Sequence, residues 1–335
     1  MMTAQIVTLK HLIDQARRLE PIRVAVVDAA QGLVIETLRE ANALGIVEPR
    51  LIGVPEAVER ACRDLGWPTH DEWVVPAPSD PAAAAKAVEM VRNGEADAVM
   101  KGNIHSDAFM HALLDKEHGL RLPGRRVSHV FVAEVSSHPK LLGITDAAIN
   151  IAPDLNAKAQ ILQNAVELFQ LLGIETPKVA VLSAVETVNP AIGSTLDAAC
   201  LTLMARRGQI AGALVDGPLA FDNAISAAAA KEKGIASEVA GHADIVVVPD
   251  LVSGNILAKN LEYLAGAVAA GVVVGLAAPV VLSSRADPPA ARLAGLALAS
   301  LMHHRSAKLP AKAAAPETSL SCAPQPEHAC CPLPG

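Results

Sequence analysis

Aromatic side chains are scarce in this chain: two tryptophans, one tyrosine and four phenylalanines make up 2% of 335 residues. So few stacking surfaces leave little for bases to rest on, and a net charge of −7 supplies no basic stripe for a phosphate backbone. Nucleic acid and an anionic membrane surface are thereby excluded as general partners, and any bound anion has to be small and locally held. Met1 to Glu20 mixes charged and apolar residues instead of following a basic start with an apolar run, so no secretory leader is expected and the protein reads as cytoplasmic. Leu264 to Leu282 lacks charge and approaches membrane-spanning length, but Gly266, Gly271, Gly275 and Pro279 divide it into a helix end, a short turn and a strand. Absent GxGxxG, GxSxG and HExxH motifs disfavour a standard dinucleotide site, a hydrolase elbow and a zincin.

Cysteines are few. Cys62 and Cys200 lie singly within apolar patterns, as reduced core thiols do. Cys322, Cys330 and Cys331 crowd a tail that begins near Lys308 and is rich in Ala, Pro, Lys and Ser, a composition that buries no core and is expected to be disordered. With His328 they match no zinc framework, so no metal is expected.

What is abundant is alanine, valine, leucine and glycine: 51% of the chain is apolar, as in α/β proteins whose sheets are covered on both faces. Strands are expected at Ile22 to Ala29, Arg50 to Val54, Ala96 to Met100, Arg126 to Val135, Lys140 to Ile144, Lys178 to Ser183, Gly212 to Asp216, Ile245 to Pro249 and Val280 to Ser283. Helical stretches separate most of them, notably Gly32 to Ala43, Asp80 to Asn93 and Asp154 to Leu172. That alternation predicts an α/β fold of two doubly wound, mostly parallel sheet domains with a cleft between them. The first is expected over residues 1–145 with a return at 283–307, and the second over 146–282.

In such sheets ligands bind beyond the carboxyl ends of the strands, so polar clusters there are the candidates. Ser284 and Arg285 end a buried-strand pattern with a hydroxyl and a planar fork of donors suited to phosphate, and Asp287 follows. Lys101, His105 and Ser106 lie between a strand and a helix N-terminus, where backbone amides favour an anion, although the Walker spacing is absent. Asp146 and Asn150 stand beside the expected domain junction, and Asp216, Asp222 and Asn223 follow another strand. Asn255 and Lys259 lie one helical turn apart after the strand ending at Pro249. Each cluster also reads as an ordinary helix cap, turn or surface ion pair.

The blocks MKGNIHSDAFMHALLDKEHGLR, SHVFV, TDAAINIAPDL, KVAVLSAVETVNP, RGQIAGALVDGPLAFDNAIS, VVPDLVSGNILAK and VLSSRADP, in that order from about Asp97 to about Leu301, resemble the phosphate acetyltransferase/phosphate butyryltransferase family. The likeness is greatest to the acyltransferase portion of bifunctional enoyl-CoA hydratase/phosphate acetyltransferases. The resemblance implies reversible transfer of a short acyl group between coenzyme A and inorganic phosphate, in a homodimer, without a cofactor. It casts Ser284 as the hydrogen-bond donor to the carbonyl oxygen and Arg285 as the phosphate holder; Lys101, Ser106, Asp146, Asp216, Asp222, Asn223, Asn255 and Lys259, from the strand-end clusters, are the candidate substrate-binding residues. Two departures stand out: Ala291 occupies the place of the family's presumed base, so Asp287 or His105 is expected to serve, and His111 replaces a phosphate-binding arginine. Rival readings are a non-catalytic acyl-CoA-sensing module and another enzyme of the same architecture, a decarboxylating dehydrogenase or a phospholipid-precursor acyltransferase.

Overall fold

The structure, a computed structural model, describes residues 5–284 and 286–306; Arg285 and the cysteine-bearing tail lie outside the described residues. The first half alternates α1 (Leu9–Ala16), β1 (Ile22–Val27), α2 (Gly32–Ala43), β2 (Val47–Gly53), α3 (Pro55–Asp64), β3 (Val74–Pro76), α4 (Asp80–Arg92), β4 (Ala98–Lys101) and α5 (Ser106–Leu113). Then follow β5 (Ser128–Glu134), β6 (Leu142–Thr145), α6 (Leu155–Leu171), β7 (Lys178–Leu182), α7 (Gly193–Arg206), β8 (Leu214–Leu219), α8 (Phe221–Ile225) and α9 (Ala227–Glu232). The chain closes with β9 (Ile245–Val247), α10 (Leu251–Leu264), β10 (Val268–Val274), β11 (Val280–Val281) and α11 (Pro289–Ser306).

Local chemistry sets these bounds. Asp154 accepts the Ala157 amide at 2.7 Å and starts α6, which buries a stripe including Ile161, Leu162, Ala165, Val166 and Phe169; Gly173, at φ +91°, ends it. α2 likewise buries Val34, Ile35, Leu38 and Ala41 along one face and stops at Gly45 with φ +71°.

All eleven strands join one sheet in the order β3-β2-β1-β4-β11-β10-β5-β6-β9-β7-β8. β3, β2, β1, β4 and β11 are mutually parallel, as are β6, β9, β7 and β8. β10 and β5 pair antiparallel with each other and with their outer neighbours β11 and β6, so the two parallel wings run in opposite directions. The central strand β10 stands where a helix end and a short turn were expected ahead of the strand at Val280. Gly271 lies within it because a Cβ there would stand 2.6 Å from the Leu282 carbonyl oxygen. No helix among the described residues is long and apolar enough to cross a membrane.

Alternate strand residues face opposite sides of the sheet, and the two sides are covered differently. On one, Val24, Val26, Val130, Val132, Val179, Val181 and Val281 share a continuous core with α1, α2, α6, α7 and α11. On the other the core is split. Val27, Val99 and Leu282 pack with α4 and α5, whereas Phe131, Ile144, Ala180 and Val246 pack with α8, α9 and α10. The gap between these clusters is where a ligand has room to enter. Cys62 is buried, and its thiol is pushed up to about 11 by burial and by Glu59; Cys200 is exposed on α7, which corrects its assignment to the core.

Candidate active site

A cavity of about 420 Å³ fills that gap, lined by Lys101, His105, Ser106, Asn255, Lys259, Ser283 and Ser284 together with the apolar Ile104, Phe131, Ala147 and Leu282. Three strand ends supply the polar residues: Lys101 closes β4, Ser284 follows β11, and Asn255 and Lys259 ride on α10 after β9. Gly102 lets β4 pass closely against β1, since a Cβ there would meet the Asp28 carbonyl oxygen at 2.2 Å. His105 is the N-cap of α5, so the amides of that helix open toward the cavity.

Ser284 is held by its backbone. Its amide donates to Asp287 Oδ2 at 2.7 Å, and its carbonyl accepts from Arg292 Nη2 at 3.0 Å. Arg292, 1% exposed within the apolar α11, also donates to the Asp287 carbonyl at 3.3 Å and to Ser283 Oγ at 3.4 Å. Burial lowers its pKa while the Asp287 carboxylate opposes the shift. Lys259 reaches across the gap to within 3.7 Å of Asp287 Oδ1 and donates to Glu262 at 2.6 Å. Burial pushes the Lys259 ammonium down, but Glu262 and Asp287 outweigh it and leave its pKa raised.

Opposite this loop stands His129 on β5. It is fully buried, and neither ring nitrogen has a hydrogen bond of normal geometry among the described residues. Burial lowers its pKa to about 4, against the Asp146 carboxylate and the Leu282 backbone, which favour the charged form.

The matching family model, described as phosphate acetyl/butaryl transferase, covers residues 78–298. The chain belongs to this family. It is 47% identical to a phosphate acetyltransferase of Rickettsia felis over 305 residues, 90% of this chain and 87% of that protein. It is 42% identical to a phosphate butyryltransferase of Clostridium acetobutylicum over 295 residues, 88% of this chain and 98% of that one. Among solved structures, a branched-chain phosphotransacylase from Enterococcus faecalis V583 matches with a TM-score of 0.73 at 31% identity, covering 84% of this chain and 99% of that chain.

In this phosphate acetyl/butyryl transferase, the structure brings together six of the residues singled out from sequence: Lys101, His105, Ser106, Asn255, Lys259 and Ser284. Asp287 stands behind Ser284 as the acceptor of its amide. Asp146, 3% exposed, accepts from the amides of Ala148, Ile149, Asn150 and His129 and from the Asn150 side chain, so its role here is to knot the turn that carries Ala147 and Ala148 to the cavity.

Four others lie away from this cavity. His111 is exposed on α5; Asp216 accepts the adjacent Gly217 amide at 2.9 Å; Asp222 pairs with Lys233 at 3.4 Å; and Asn223, buried, donates to Glu186 at 3.2 Å. Ala291, which occupies the place of the family's presumed base, is buried beside Arg292. His129 and Arg292 were not among the expected residues.

A larger cleft, about 740 Å³, lies between α6 and α11 on the opposite side of the sheet. Its charged groups are satisfied, Arg125 by Glu167 and Asp97 by Arg23. Asp97, though desolvated, is held below the usual carboxylate range by the Arg23 guanidinium and amide.

Proposed function

We propose that this chain is a phosphate acyltransferase that moves an acetyl or butyryl group reversibly between coenzyme A and inorganic phosphate. The observation that carries the reading is the convergence, across the split core, of a serine hydroxyl, a helix N-terminus and two ammonium groups in one partly apolar cavity. A thiolate attacks the carbonyl of the acyl phosphate, the carbon–sulfur bond forms, and phosphate leaves with the electrons of the carbon–oxygen bond. Ser284 donates to the carbonyl oxygen as negative charge grows there, an interaction whose loss costs about 10²-fold or more in rate at comparable sites. Lys101, Ser106 and the α5 amides, with Arg285, receive the phosphate. Asn255 and Lys259 face the acyl phosphate from α10.

A free thiol has a pKa of about 8.5, so a base assists near neutrality. His105 lines the cavity, whereas the Asp287 carboxylate already accepts the Ser284 amide. The reading therefore gives proton transfer to His105 and the positioning of Ser284 to Asp287. No cofactor is required beyond the two substrates, and the enzyme works in the cytoplasm as a homodimer of two-domain subunits. Exposed Val252, Ile256, Tyr263 and Leu264 on α10 and Leu196 and Leu203 on α7 support an apolar contact between copies.

The test is phosphate-dependent release of free thiol from acetyl-, propionyl- and butyryl-CoA by wild type, Ser284→Ala and Arg285→Ala. Release that needs phosphate and collapses in both variants supports the transferase and ranks its substrates. Binding of acyl-CoA without release replaces it with the sensing module.

A further inference from the structure

His129 is clamped by its backbone, and its ring, on which the Leu282 backbone acts, makes no hydrogen bond of normal geometry among the described residues. Its amide donates to Asp146 Oδ2 at 3.2 Å and its carbonyl accepts from Thr145 Oγ1 at 2.8 Å, which fixes the residue in the middle of the sheet. The ring stacks edgewise on Phe131, with centroids 4.4 Å apart and planes at 73°, so its orientation is set by apolar packing. Gly271 on β10 keeps the slot open, since a Cβ there would stand 2.9 Å from His129 Nε2. A histidine placed for packing alone would be expected to hydrogen-bond a neighbour, because a buried polar group without a partner is destabilising. This one, fully buried, instead lines the cavity opposite Ser284.

We propose that His129 is a further catalytic residue, whose imidazole N–H donates to the carbonyl oxygen of the acyl group when substrate fills the cavity. The inference rests on the acyl-transfer reading and extends it, because it places a second donor beside Ser284 at the atom where charge develops. A neutral imidazole suits the task. It offers one N–H to an oxygen that becomes negative and returns to its original state when the carbonyl re-forms, with no net proton transfer in either direction. Its burial keeps it neutral across the range where coenzyme A chemistry runs.

The experiment measures phosphate-dependent thiol release and thermal unfolding of the full chain as wild type, His129→Leu and His129→Gln. Leucine removes the donor at nearly constant volume; glutamine keeps an N–H. The expected result is a kcat lower by about 10²-fold in His129→Leu, with KM for the acyl-CoA changed by less than about threefold. His129→Gln retains part of the rate, and both variants melt no lower than wild type. A His129→Leu enzyme with wild-type kcat overturns the proposal. So does a loss of activity that tracks a loss of folded protein in both variants, which assigns His129 to structure. A wild type that releases no thiol with phosphate present overturns the acyl-transfer reading itself and the inference with it.

Discussion

The buried imidazole of His129 predicts a specific acid sensitivity of the fold. In the native chain burial lowers its pKa to about 4, while in the unfolded chain a histidine titrates near ~6.5. Between those values the unfolded state binds a proton that the native state refuses. Stability therefore falls as pH drops through 6.5 toward 4 and is unaffected by this group above that window. The full gap is worth roughly 3 kcal/mol, and about 2 kcal/mol of it is already lost at pH 5. Lys101, His105 and Lys259 share the cavity and Asp146 acts on the ring, but all of them are present in both proteins of the comparison. The assay is denaturant unfolding of wild type and His129→Leu at pH 7 and pH 5. The same holds for His138, whose pKa burial and Lys140 also lower, so its contribution cancels in the difference. Wild type should lose about 2 kcal/mol more than the variant between the two pH values. Equal losses, within about 0.5 kcal/mol, would refute the claim that the native ring stays unprotonated.

Gly271→Ala forces a methyl group to within 2.6 Å of the Leu282 carbonyl oxygen and 2.9 Å of His129 Nε2; a stability loss of about 1–3 kcal/mol and a fall in kcat are expected by denaturant titration and thiol release. Arg292→Met leaves the Ser284 and Asp287 carbonyls without their guanidinium donor, at a loss of about 3 kcal/mol, and Arg292→Lys should not restore kcat because an ammonium lacks the planar fork. His105→Ala is expected to lower kcat by about 10²-fold and Asp287→Asn to lower it by displacing Ser284; undiminished rates in both variants remove the proposed base and its partner. Asp154→Ala deletes the cap of α6, with a loss of about 1 kcal/mol in unfolding free energy and no change in kcat.

The wings of the sheet were legible because buried strands and amphipathic helices alternate there with clear stop residues, and α2 occupies the expected Gly32–Ala43 span. The centre was not. β10 reads Val-Ala-Ala-Gly-Val-Val-Val between Gly266 and Gly275, and its place depends on pairing with β5, more than a hundred residues earlier in the chain. The strand-end rule found Lys101, Asn255, Lys259 and Ser284 because β4, β9 and β11 end near the split core. It also picked Asp216, which lies within β8, and Asp222 and Asn223 just after that strand. That strand lies at the sheet edge, farthest from the centre of the strand order, and position across a sheet is set by topology, which local pattern does not encode. His129 escaped notice because it sits near the start of an antiparallel strand, away from any carboxyl end, within the apolar run SHVFV. Arg292 carried a weak signal, a charge inside the apolar stretch that precedes the basic last turn of α11.

The two faces of the sheet explain why the site stands where it does. Apolar burial is non-directional, and a core that continued across both faces would leave no opening. Here one face carries a continuous core beneath α1, α2, α6, α7 and α11, with a cleft between α6 and α11, while the other carries two separate cores. Across the gap the halves meet through a polar contact, Lys259 with Asp287. An anion entering between them competes for the same Lys259 ammonium that links the two sides. Pairing over the continuous core holds strands β5, β10 and β11 in register, and with them His129 and the loop of Ser284, while the split face stays accessible to substrate. On this reasoning an imidazole without a hydrogen bond of normal geometry persists at the floor of the gap because the stability it forfeits in the empty enzyme is recovered as a hydrogen bond to the reacting carbonyl.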